Sequence, residues 1–164
     1  MNAVQTNKQK GFTIIEVVLV LAIAGLIFLM VFIALPSLQR SQRDTQRRND
    51  LSRVQTAVQS YKTNARGALP LDTAAAWNTF RTKYLVAGGD SFTDPNGNDY
   101  AIVSTSQTPF PDAAPDFTAS PRNIYATIGA KCAGDGSTVT TGEGNRKVAF
   151  RMILEGGGVA CVSD

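Results

Sequence analysis

The run Lys10-Gly11-Phe12-Thr13-Ile14-Ile15-Glu16, continued by Val17-Val18-Leu19-Val20-Leu21-Ala22-Ile23 and on to Leu35, decides the architecture. No residue from Val17 to Leu35 carries a charge, and as a helix the segment spans about 28 Å against a hydrocarbon core of roughly 30 Å. A cleaved secretory signal would end in a small-residue pattern, and Ala34-Leu35-Pro36-Ser37-Leu38-Gln39 offers none, so the span is expected to stay attached. Glu16 stands at its front edge, where a carboxylate costs about 2.5 kcal/mol or more unless it snorkels to the interface or finds a partner. Ahead of it, Met1 to Lys10 is polar, with Lys8 and Lys10 and no acid. The switch from polar to apolar falls at the Gly11–Phe12 bond, which reads as a processing point.

These residues resemble the class III signal of type IV pilins and their relatives, the type II secretion pseudopilins and competence pilins. The resemblance implies that a prepilin peptidase cuts after Gly11 and methylates the new amine of Phe12, and that Glu16 faces the terminal amine of a neighbouring subunit and sets register. It also implies a division into a leader (1–11), a membrane and assembly half of one long helix (12–35), an extramembrane half (36–66) and a small outer domain (67–164). The implied fold is α+β: the pilin fold, a long N-terminal helix packed against a small antiparallel sheet. The implied partners are copies of the same chain, the peptidase, the membrane, and an assembly machinery with an inner-membrane platform and an ATPase. The N-terminus lies inside in that family, although the arginines after the span outnumber Lys8 and Lys10, against the positive-inside rule. Gly25 and Pro36 weaken the helix between them, and related filaments unwind there. A mild kink is the plainer alternative.

Beyond the motif, composition narrows the chemistry. The 164 residues include no histidine, which excludes a Ser-His-Asp triad, a Cys-His pair and His-ligated zinc. No catalytic constellation, cofactor site or metal-ligand set emerges, so the expectation is a structural protein and not an enzyme. Two cysteines, Cys132 and Cys161, are too few for a Cys-only zinc site and read as one disulfide, the alternative being two buried thiols. The net charge of +3 divides unevenly, +4 over residues 1–53 and −1 over the rest. Arg40, Arg43, Arg47, Arg48 and Arg53 are expected on a solvated helix face, partly compensated by Asp44 at i,i+4 from both Arg40 and Arg48. Nucleic acid or anionic lipid is the sharper and less favoured alternative.

Apolar positions at helical spacing continue the first helix to about Arg66, for a length of roughly 80 Å. After a capping Asp72 or Thr73, Trp77, Phe80 and Tyr84 share one face of a short helix and are expected in the core. Strands follow at 123–128 and 147–154, the second with Val148, Phe150, Met152 and Leu154 on one side as the expected buried face, and Glu155-Gly156-Gly157-Gly158 turns the chain into Val159–Val162 as a terminal hairpin. The turn Asp94-Pro95-Asn96-Gly97-Asn98-Asp99 invites a calcium reading, against the simpler one of a tight turn. Residues 105–121, rich in proline, are expected as an irregular loop. A surface filament subunit is the leading reading, followed by a pseudopilin of a short periplasmic piston and a DNA-binding minor pilin. A membrane-anchored enzyme is the remaining class.

Overall fold

A computed structural model describes residues 11–105 and 122–164. The leader through Lys10 and nearly all of the expected proline-rich loop lie outside these residues. Two compact units divide at Gln39 and Arg40. Helix α1 runs Ile14–Asn64, and Pro36 lies within it. In the first unit its side chains are almost all exposed, and an 18-residue window has a mean hydropathy of 3.2, long and apolar enough to cross a membrane.

From Arg40 onward α1 becomes the spine of an α+β unit. Leu51, Val54 and Val58 recur at helical spacing and are fully buried. α1 ends where Arg66 (φ 55°) and Gly67 (φ 85°) turn left-handed, and the Gly67 N–H reaches back to the Lys62 carbonyl at 2.7 Å. α2, Ala74–Tyr84, begins at Thr73, whose hydroxyl accepts the Ala76 N–H at 3.2 Å. Its Trp77 packs edge-on to Phe150 at 5.8 Å, and Phe80 meets Tyr61 of α1 edge-on at the same distance, so the expected aromatic face does lie in the core.

The main sheet has strand order β1-β2-β5-β6, where β1 is Tyr100–Ser104, β2 Arg122–Ile128, β5 Val148–Ile153 and β6 Val159–Ser163. A separate two-stranded sheet pairs β3, Ala130–Cys132, with β4, Val139–Thr141. Antiparallel pairing dominates, but β1 pairs with β2 in parallel. A parallel return needs a connection of a dozen residues or more, and 105–121 supplies it.

The terminal hairpin forms as read, with Phe150 opposite Val162 and Arg151 opposite Cys161. β5 is buried on both faces rather than one. Ala149, on the side away from Phe150, packs with Ala130 and Val139, because the small sheet lies against that face. Cys132 and Cys161 form a disulfide that joins β3 to the edge strand β6. It therefore ties the two sheets together. Gln55 of α1 donates to the Ser163 carbonyl at 2.7 Å, and Lys62 pairs with Asp164, so the end of β6 is held to the helix as well.

The closed loop has a sequence separation of 29 residues, for which chain entropy gives roughly 3–4 kcal/mol. Cys132→Ser should lower stability by about that amount and increase protease sensitivity, measured by urea denaturation of the detergent-solubilised chain. Thiol labelling of the unreduced, denatured wild type should find no free cysteine; two labelled thiols would refute the bridge.

Candidate functional site

Gly11, Phe12 and Thr13 precede the helix and are exposed, Phe12 at 90%. No described atom lies within 4 Å of a Cβ built on Gly11, so the Gly11–Phe12 bond stands in open, non-helical backbone. One residue further on the helix is capped. The Thr13 N–H and hydroxyl both donate to Glu16 Oε2, at 2.9 and 2.8 Å, and the Thr13 hydroxyl accepts the Glu16 N–H at 3.4 Å. This is a capping box: it satisfies orphan donors of the first turn and gives the Glu16 carboxylate partners inside its own chain. Thr13 was not singled out in the sequence, although the spacing Thr-x-x-Glu before an apolar run is the signature of such a cap. Gly25 and Pro36 sit further along α1, and the segment between them is helical here.

A second constellation gathers where the arginine run meets the sheet. Arg47 is fully buried, so the expected solvated arginine face is corrected: one of its members is an interior charge. Its Nε and Nη2 donate to Asp94 Oδ1 and Oδ2 at 2.7 and 3.0 Å, a two-pronged pair. Nη1 reaches Asp44 at 2.9 Å and Glu155 at 3.3 Å. Arg43 adds a second fork onto Glu155, at 2.7 and 2.5 Å, while Arg40, 59% exposed, stands 3.9 Å from it.

Asp44 also departs from expectation. Instead of pairing with Arg48 one turn on, it takes Arg47 and the backbone N–H groups of Glu155 and Gly156, at 2.8 and 2.6 Å. The β5–β6 turn points two amides at it, and a buried carboxylate gains more from those donors than from an exposed arginine. A Cβ on Gly156 would lie 3.0 Å from Asp44 Oδ2, so this close approach favours glycine at the position.

Asp94, weighed in the sequence as a cation ligand, has both oxygens engaged by Arg47, and Oδ2 also accepts the Asn96 N–H at 3.0 Å. Among the described residues no group of three acidic, cysteine or histidine side chains could hold a metal ion. Burial works against the Arg47 charge, but the hydrogen bonds to Asp94 and Asp44 more than reverse this and raise its pKa. The fork from Arg43 holds the Glu155 pKa down to about 2. Burial pushes Asp50 up despite the Tyr100 hydroxyl it accepts at 3.1 Å.

Arg47→Ala should destabilise the chain by about 3–5 kcal/mol, read as a shift in denaturation midpoint, because Asp94 is left buried and unpaired. Glu155 is ordinarily near 4.5 and is depressed in the folded chain, so its contribution is complete above about pH 4.5 and is lost as pH falls toward 2. Asp135, held near 2 first by the Thr138 N–H, loses stability over a similar range, so the variant must be compared with wild type. Glu155→Gln should flatten the decline in stability below pH 4.5, measured by denaturation at stepped pH.

No curated protein and no solved structure matches the chain. Residues 6–32, which hold Gly11, Phe12, Thr13, Glu16 and Gly25, match the family model of the prokaryotic N-terminal methylation motif, and the chain therefore carries the class III signal peptide motif of type IV pilins.

Proposed function

We propose that this chain is a type IV pilin: a non-enzymatic subunit inserted as a single-pass precursor with its N-terminus inside, then polymerised into an extracellular filament. The observation that carries this reading is the placement of the methylation motif, with Gly11–Phe12 in exposed backbone directly ahead of a capped helix whose apolar segment is left exposed by the described residues. Such a segment needs lipid before assembly and copies of itself afterwards.

In this reading residues 1–11 are removed by prepilin peptidase and Phe12 is methylated. Residues 12–35 form the assembly half of the helix, 36–66 its outer half, and 67–164 the displayed domain. Gly25 and Pro36 bound the stretch that gives way when the filament is assembled or pulled. Glu16 exchanges its contacts with Thr13 for the amine of Phe12 on a neighbour, since two charges left apart in an apolar core each carry a desolvation cost that pairing offsets. The platform and ATPase that drive assembly act on the processed subunit.

Electron microscopy of sheared surface material, with mass spectrometry of its protein, tests the reading. Long filaments of this chain support the surface pilus; short periplasmic assemblies would favour a pseudopilin. Gly11→Val should leave full-length, membrane-bound precursor and no filaments, and a methylated Phe12 in that variant would overturn the assigned cut. Glu16→Ala should insert and be cleaved, because its span is only more apolar, yet assemble poorly. Unimpaired filament yield would return Glu16 to a snorkelling role.

A further inference from the structure

The two edges of the main sheet differ. At the β6 edge the Ser163 carbonyl is taken by Gln55 of α1 at 2.7 Å, and Cys161 is tied to β3. At the other edge, β1 pairs with β2 alone among the described strands. The Asp99 carbonyl accepts the Arg122 N–H at 2.7 Å, and the Thr105 N–H donates to the Ala126 carbonyl at 2.9 Å, which sets the phase of this parallel ladder. Main-chain groups alternate sides along a strand, so Ala101 and Val103 serve β2 while Tyr100, Ile102 and Ser104 turn theirs outward. Ile102 is 6% exposed, yet its N–H and carbonyl have no hydrogen-bond partner among the described residues.

A groove of about 490 Å³ runs beside this edge, lined by Ala74, Ala75 and Asn78 of α2 and by Ala101, Ile102 and Val103. Two polar ties frame it. Arg81 meets Asp99 at 3.0 Å just before β1, and the Ser104 hydroxyl meets the Asp72 carboxylate at its end. They hold α2 alongside the strand, and the alanines between them are too short to cover it. Apart from the Arg81–Asp99 pair the lining carries no charge. Natural sheets blunt their open edges with lysine, proline or a bulge, whereas Tyr100-Ala101-Ile102-Val103-Ser104 has neither a charge nor a proline.

We propose that an extended, uncharged segment of a different polypeptide adds along β1 as a fifth strand. The edge selects main chain, because an extended backbone offers N–H and carbonyl groups at the spacing of Tyr100, Ile102 and Ser104, and the alanine wall selects small side chains at alternate positions. The 5 residues of β1 match a segment about 17 Å long. A neutral occupant fits the uncharged lining, where a charge would be desolvated without a partner. A second copy fits less well. Its β6 edge is closed at Ser163, and a β1-to-β1 pair needs a two-fold axis, which subunits pointing one way along a filament lack. That last exclusion alone rests on the polymeric reading above.

Amide-resolved hydrogen exchange on the detergent-solubilised full-length chain tests it without needing filaments. Alone, the Ile102 amide should exchange faster than those of Ala101 and Val103. The capped peptide acetyl-Ser-Val-Ala-Val-Ser-amide should slow exchange at Ile102 in step with its concentration, about tenfold at ten times its Kd. A fully N-methylated copy of the peptide should have no such effect. Neither should the plain peptide on Ala75→Trp, an exposed helix position whose new indole fills the groove while Val103 keeps its wild-type protection. No slowing by the plain peptide, or equal slowing by the methylated one, would overturn the proposal. Slowing at Ile102 on raising the protein concentration without peptide, with dimers in sedimentation, would overturn it in favour of a second copy. Absence of filaments would remove the polymeric reading and leave the peptide result standing.

Discussion

The Arg47 guanidinium is the point on which the outer unit depends. Three carboxylates from three places in the chain converge on it: Asp44 from the same helix, Asp94 from the turn before β1, and Glu155 from the turn between β5 and β6. A fully buried arginine is tolerated only with its donors satisfied, so these segments must arrive together or the charge is stranded. Hydrophobic contacts of Leu51, Val54 and Val58 supply most of the driving force along α1, but they are permissive about rotation and slippage. The forked hydrogen bonds are not, and they fix which turn of the helix faces the hairpin.

One helix thereby serves two environments. From Val17 to Leu35 its residues are uncharged and almost all apolar, as suits lipid or a bundle of identical helices, and among the described residues almost nothing covers them. From Asp44 onward it alternates a buried stripe with an exposed polar one, the pattern of a helix with one covered face. The capping box at Thr13 and Glu16 belongs to the first regime: it satisfies polar groups locally, where water is scarce.

Much of this was legible in the sequence because it is written in local patterns. The apolar run, the glycine before Phe12, the aromatic spacing of α2 and the glycine turn after Leu154 each depend on neighbours within a few residues. The ion cluster was not legible, since it joins residues 47 and 94 and residues 44 and 155, and a charge at helical spacing looks the same whether it meets water or a partner from far along the chain. The i,i+4 rule favoured Arg48 for Asp44, and a long-range turn with two free amides outcompeted it. The two-faced burial of β5 was hidden for a related reason: Ala149 and Arg151 read as a solvent face until the β3–β4 sheet is seen to cover Ala149.

The bridge between Cys132 and Cys161 encloses β4, β5 and the turn bearing Glu155 within one covalent ring. A peptide bond cut anywhere inside that ring, including the exposed glycine turns at 134–136 and 156–158, opens the loop without releasing a fragment. The two pieces stay joined through Cys132 on β3 and Cys161 on β6. Damage that would dismantle an unbridged domain becomes a nick in a molecule that remains whole.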